Sequence, residues 1–152
     1  MFGLGRKSGN EMSMTYIEII KRAEGGDSDA QHELGHMYLK GMGVHQSDSE
    51  AVKWYRFSAE QGNASAQGHL AIMCEYGMGT HQDCSEAVKW YRLSAEQGIA
   101  PSQYHMGDMY EQGKGVRTDI SEAVKWYKLA AEQGDDSARE ALLRLKKNAY
   151  MR

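Results

Sequence analysis

From Asp27 onward, apolar positions recur in two alternating helical stripes punctuated by glycine. Ala30, Leu34, Met37 and Tyr38 are spaced four, three and one apart, which places them on one helix face. Gly41 ends that run, where glycine can take the left-handed conformation of a helix C-cap. The loop Gly41-Met42-Gly43-Val44 reverses the chain. Ser47-x-x-Glu50 has the form of a capping box and predicts a second helix start. Ala51, Trp54, Tyr55, Ser58 and Ala59 share a face of that second helix, at i, i+3, i+4, i+7 and i+8. Gly62 stops it. Asp27 to Gly62 therefore reads as a helix–turn–helix hairpin that needs a neighbour to cover its apolar faces.

The neighbour is another copy. The heptapeptide SEAVKWY occurs at Ser49–Tyr55, Ser85–Tyr91 and Ser121–Tyr127, at intervals of 36 residues. Each copy follows a Gly-x-Gly (Gly41/Gly43, Gly77/Gly79, Gly113/Gly115) and precedes Ala-Glu-Gln-Gly (Ala59–Gly62, Ala95–Gly98, Ala131–Gly134). Self-similarity at a fixed period of this size is the signature of a stacked repeat architecture. The expected fold is all-α, an α-solenoid in the form of a right-handed superhelix. Its repeats span 27–62, 63–98 and 99–134, after an N-terminal half-repeat at 12–26. Thr15 to Gly26 aligns with a second helix and carries Glu18 where the tryptophans stand, which leaves that face open to water. A C-terminal capping helix is expected over 135–150, with Ala138, Leu142 and Leu145 in phase. Residues 1–11 are expected to be disordered. Capping ends resist end-to-end stacking, so a monomer is expected. Gly35, Ala71 and Gly107 stand at one equivalent place and would let a neighbouring helix approach closely. Trp54, Trp90 and Trp126, in register on the apolar face, read as large core fillers.

Composition changes this picture little. The hydrophobic fraction of 41% and charged fraction of 26% are those of a globular protein. A formal net charge of −3 gives no drive toward nucleic acid or an anionic membrane. No stretch approaches the roughly 20 apolar residues of a membrane span, and Met1 to Met14 has no signal-like apolar run. Cys74 and Cys84 do not recur between units, so both read as free thiols and the expected location is cytoplasmic.

The unit resembles the Sel1-like repeat, a relative of the tetratricopeptide repeat. The residues that carry the resemblance in the first unit include Ala30, Gln31, Leu34, Gly35, Tyr38, Gly41, Gly43, Trp54, Tyr55 and Ala59 to Gly62. The resemblance covers about Thr15 to Lys146. It implies a non-catalytic adaptor or scaffold that binds a protein or peptide. By the same similarity, the first helix of each unit should line the concave side.

Positions that differ between units on that side are the candidate binding residues. They are His32, His36, Leu39 and Lys40 in unit one, Ile72, Glu75 and Tyr76 in unit two, and Tyr104, Asp108, Glu111 and Gln112 in unit three. Ser65, Gly68 and Pro101 belong to the same outward set. Tyrosine is a frequent interface anchor. Clustered Glu75, Asp108 and Glu111 would favour a basic segment on the partner. A narrower reading makes the protein an inhibitor or immunity protein that neutralises a secreted effector or toxin.

Catalysis finds little support. His32 and His36, at i and i+4, could hold part of a metal site, with Glu33 as a third ligand, but the ligand number is deficient. No cofactor is expected, and no Ser–His–Asp arrangement with a recognisable motif occurs. The glycine pairs follow helices rather than strands, so Gly113-Lys114-Gly115 is a turn with a chance lysine and not a phosphate loop. Cys74 stands where other units have tyrosine and reads as buried. Cys84, in the first turn of a second helix, is the better candidate for a reactive thiol. A purely structural spacer remains as a third class, for which three units are short.

Overall fold

A computed structural model describes the backbone of residues 9–151 and the side chains of residues 15–151. Among the described residues every element is helical: α1 Gly9–Glu24, α2 Ser28–Lys40, α3 Asp48–Glu60, α4 Ala64–Tyr76, α5 Cys84–Glu96, α6 Ala100–Gln112, α7 Ile120–Glu132 and α8 Asp136–Tyr150. The expected disorder of residues 1–8 lies outside the described residues. Residues 9–11 are helical instead, because α1 begins at Gly9.

Local chemistry sets these boundaries. The first helices α2, α4 and α8 are capped by the side chains of Asp27, Asn63 and Asp135, each accepting from the backbone N–H three residues on. Ser47, Asp83 and Asp119 cap the second helices α3, α5 and α7 in the same way. Gly41, Gly77 and Gly113 end the first helices in the left-handed conformation. The reversal is pinned by a backbone bond across the loop, from Ser47, Asp83 or Asp119 N to Tyr38, Cys74 or Tyr110 O. One cap breaks the series: α6 starts after Ile99, with no side-chain hydrogen bond and Pro101 in its first turn.

The main packing joins helices that are consecutive in sequence, as a solenoid requires. Tyr55, Tyr91 and Tyr127, not the tryptophans, fill the core and are fully buried. The phase explains this. The tyrosine lies nearer the centre of the apolar arc, while Trp54, Trp90 and Trp126 lie at its edge and are half-buried. The small residues of the first helices make room for these rings. A Cβ on Gly35 would stand 2.7 Å from Tyr55 Cδ1, and one on Gly107 would stand 2.5 Å from Tyr127 Cδ1.

A glutamine ladder ties the units together. Buried Gln31, Gln67 and Gln103 donate to the carbonyls of Ala23, Ala59 and Ala95 in the preceding second helix, at 3.1–3.2 Å. Each also accepts from the glutamine of the Ala-Glu-Gln-Gly segment in its own unit, Gln61, Gln97 or Gln133, at 2.6–2.8 Å. A buried amide thus has its polar groups satisfied, which removes the penalty of burying it. The array is closed differently at its two ends. Glu18 of α1 is exposed, as expected of an open polar face, whereas α8 leaves Leu143 68% exposed.

Candidate functional site

The first helices α2, α4 and α6 bring the candidate residues to one face in three rows. His32, Gly68 and Tyr104 are equivalent in the repeat, as are His36, Ile72 and Asp108, and Lys40, Tyr76 and Gln112. Lys40 and Gln112 are exposed, and Tyr76 is 60% exposed. Leu39 sits one residue earlier and is half-buried against the core.

At the α2 end, three histidines meet. The His32 and His69 rings are 5.2 Å apart, and His36 meets His69 edge-on at 6.4 Å. His69 Nδ1 lies 2.8 Å from the carbonyl oxygen of Ser65, which can only accept, so Nδ1 carries the proton. Glu33 is exposed and resolves no role here. Among the described residues, no group of three or more His, Cys, Asp or Glu side chains is arranged to hold a metal ion.

At the α6 end, Glu75 departs from expectation. It is not outward-facing but 3% exposed, and it accepts from Tyr91 Oη at 2.8 Å. The reason is helical phase: position 75 precedes the outward Tyr76 by 100° and turns toward the buried tyrosine. Lys114 Nζ stands 3.8 Å from Glu75 and 3.9 Å from Asp108, and His105 Nδ1 is 3.9 Å from Glu75. The lysine of the Gly113–Gly115 turn is therefore the counter-charge of a buried carboxylate. Glu111 is largely inside too, accepting from Tyr127 Oη at 2.8 Å and from Arg144 of α8. Neither acid is free to meet a partner as the clustered-acid expectation required.

Between these two ends lies a mostly apolar slot of about 210 Å³. Gly68 opens it, because units one and three place His32 and Tyr104 there. His69, His105 and the ring of buried Tyr91 are among the residues that line it. Both imidazoles lie flat on tyrosines: His69 on Tyr55 at 5.0 Å and 10°, His105 on Tyr91 at 4.7 Å and 9°. Ile72, Ile99 and Pro101 supply the apolar rim. Two departures from the repeat thus converge here, the missing side chain at Gly68 and the missing cap at Ile99. Departures from local consistency tend to fall at functional sites.

His69 and His105 were not among the principal candidates, and neither was Ile99. The cap series Asp27, Asn63, Asp135 against Ile99 was the sequence signal that could have found the last. The stacking of His69 on Tyr55 of the preceding unit is a contact between units, which the pattern within one repeat does not carry.

Burial, above all, holds both imidazoles below their ordinary pKa; the Ser65 carbonyl opposes this at His69, and Glu75 opposes it at His105. The unfolded chain then takes up these protons near pH 6.5, before the folded chain does. Stability is full above about pH 6.5 and is lost as pH falls through that value toward the lower folded pKa. The urea midpoint is expected to fall between pH 7.5 and pH 5.5. The fall should shrink in a His69→Gln/His105→Gln variant, and an undiminished fall would place the titrating groups elsewhere. The carboxylates held low by their partners, Glu86 beside Arg56 and Glu111 beside Arg144, titrate below this window.

Cys74 is fully buried, and burial pushes its thiol up to about 11. Cys84 is half-buried. No described helix is long and apolar enough to cross a membrane.

The model of the Sel1 repeat matches residues 28–63, 64–99 and 100–135, one residue offset from the boundaries read from the sequence. No match was found among curated proteins. Among solved structures, the chain is 38% identical to a Sel1 repeat protein from Oxalobacter formigenes, with a TM-score of 0.78 over 84% of this chain and 96% of that one. It is 37% identical to c5321, a protective antigen of uropathogenic Escherichia coli strains with an SLR fold, with a TM-score of 0.79. That match covers 84% of this chain and only 30% of the antigen. Helicobacter pylori cysteine rich protein B shares the fold at 17% identity, with a TM-score of 0.68 over 91% of this chain and 100% of that one. With three matched repeats in register with its helix pairs, the chain belongs to the Sel1 repeat family of helical-solenoid proteins, which generally serve as protein-interaction scaffolds.

Proposed function

We propose that this protein is a non-catalytic binding module that docks an extended peptide segment across α2, α4 and α6. The observation that supports it is the slot at Gly68. Its volume of about 210 Å³ is below the roughly 300–1,000 Å³ of pockets that enclose whole small molecules, and it fits one inserted side chain. Its lining imidazoles are fixed by ring stacking, so little order has to be imposed on binding. Tyr76, exposed one turn beyond Ile72 on α4, adds amphipathic contact surface on the same helix.

A displayed peptide library provides the test. Selection on the wild-type protein is expected to enrich peptides with one recurrent apolar position. Ser65 is exposed and lines the slot, so Ser65→Trp can plug it without disturbing the core. The selected peptides should bind Ser65→Trp at least about tenfold more weakly, a loss of about 1.4 kcal/mol, with the thermal midpoint unchanged. Equal binding to both proteins would move the site off this face, and no enrichment would remove the reading.

A further inference from the structure

Among the described residues, α8 has the pattern of a first helix and packs mainly on α7, with no second helix of its own. α1 has the pattern of a second helix and packs mainly on α2, with no first helix of its own. Comparison with unit one marks the uncovered faces. In α1, Thr15, Glu18 and Arg22 are exposed where Ala51, Trp54 and Ser58 are buried or half-buried. In α8, Asp136, Leu143 and Lys146 are exposed where Ser28, Gly35 and Tyr38 are buried or half-buried. The changes at the two faces match in pairs. Inside unit one, Tyr55 covers Gly35 so closely that a Cβ there would stand 2.7 Å from the ring. Leu143 holds the place of Gly35, and Ile19 that of Tyr55, so the large and small partners become two of middle size. Ile19 is 6% exposed and reaches less far than a tyrosine, while Leu143, 68% exposed, reaches out. Ser28 and Ser58 place their Oγ atoms 3.2 Å apart, and their counterparts Asp136 and Arg22 are of opposite charge. Tyr38 and Trp54 pack on one core cluster, and their counterparts Lys146 and Glu18 are again of opposite charge.

We propose that a second copy of this chain docks head to tail, its α1 laid antiparallel on α8 in the place of a second helix. Leu143 then meets Ile19 of the second copy, Asp136 meets its Arg22, and Lys146 meets its Glu18. The swap of sizes conserves volume, which packed contacts tolerate best. The second copy's α2 follows in register, so the array continues across the junction. A contact of this heterologous kind adds copies in an open row and does not stop at two. Arg22 bonds to Asp27 and Asp136 to Arg139 in the single chain, in exposed pairs whose exchange costs little. The glutamine ladder does not cross the junction, because Arg139 and Gly25 hold the places of Gln31 and Gln61. The junction is therefore weaker than the packing inside the chain, and association is reversible.

Light scattering of the full chain over a range of concentrations at low salt tests this. The average mass is expected to rise with concentration and to pass that of a dimer. Leu143→Glu should weaken association about tenfold or more, because an apolar contact is replaced by a charge. Arg22→Asp and Asp136→Arg should each weaken it about fivefold, since an attraction becomes a repulsion. Mixed in equal amounts, these two variants should associate as the wild type does, because each then offers the other a matched end. All three positions are exposed, so the variants keep the fold, and an unchanged thermal midpoint checks that. A mass of one chain at every concentration would overturn the proposal. So would an association that survives Leu143→Glu, or a mixture no stronger than its separate parts. A mass that levels off at two chains would overturn it as well, in favour of a two-fold contact.

Discussion

Gly115→Ala is expected to cost about 3 kcal/mol or more, and Gly79→Ala nearly as much. Two penalties combine. Gly115 sits at φ +66° and Gly79 at φ +68°, where an L side chain costs about 1–2 kcal/mol. Then there is space. A Cβ on Gly115 would stand 2.1 Å from the Cys84 carbonyl oxygen and 2.3 Å from its carbon. On Gly79 it would stand 2.3 Å from the Asp48 carbonyl carbon. These are backbone atoms in the first turn of the preceding unit's second helix, and that turn is held by its cap. No rotamer change relieves the clash, so the interface between units must open, at a further cost of about 1–3 kcal/mol. Gly98→Ala is the control. Its φ of +92° carries the conformational penalty, but nothing lies within 4 Å of the added carbon. Gly43 is intermediate, since the obstacle is the Tyr16 ring, which can shift. Urea unfolding at constant m-value measures the series. If Gly115→Ala loses no more than Gly98→Ala, the turn does not seat against the neighbouring unit as described.

That seating explains what could be read in the sequence and what could not. Helix boundaries were legible because they depend on short-range chemistry. Asp27, Ser47 and Gly41 act on residues three or four positions away, and the repeat printed each signal three times. The number and order of units followed from the same periodicity. The contents of the core were less legible. Trp54 and Tyr55 are adjacent, both large, and only 100° apart on the helix, so pattern alone did not say which faces Gly35. The site was least legible. Glu75 was grouped with the outward Ile72 and Tyr76, three residues before it and one after. Its true partners, Tyr91 and Lys114, come from the following second helix and from the next unit's turn. The slot itself is an absence at Gly68, framed by His69 and His105 from successive units. Such features are visible only when units are stacked, because they belong to the interfaces and not to any one repeat.

The three core tyrosines should respond unequally to losing a hydroxyl, although they are identical in the repeat. Tyr91→Phe is expected to cost about 2 kcal/mol, because a buried carboxylate loses its hydrogen-bond donor. Glu75 would keep only Lys114 at 3.8 Å and His105 at 3.9 Å, both beyond hydrogen-bond length. Tyr127→Phe should cost less, about 1 kcal/mol, since Glu111 retains Arg144 and some contact with water. Tyr55 is the exception. Leu39 occupies the place of Glu75 and Glu111, and Tyr55 Oη is buried with no partner among the described residues. Burial pushes its phenol up to about 12, so it stays a neutral, unpaired hydroxyl. Tyr55→Phe removes a desolvated polar group that gains nothing, and should be neutral or stabilising by up to about 1 kcal/mol. All three variants keep the ring, and with it the stacking of His69 on Tyr55 and His105 on Tyr91. Differences in urea midpoint therefore isolate the hydroxyls. A Tyr55→Phe loss as large as that of Tyr91→Phe would require an acceptor in unit one that plays the part of Glu75. A graded order would show instead that the buried Glu75 carboxylate is held from within the core by Tyr91.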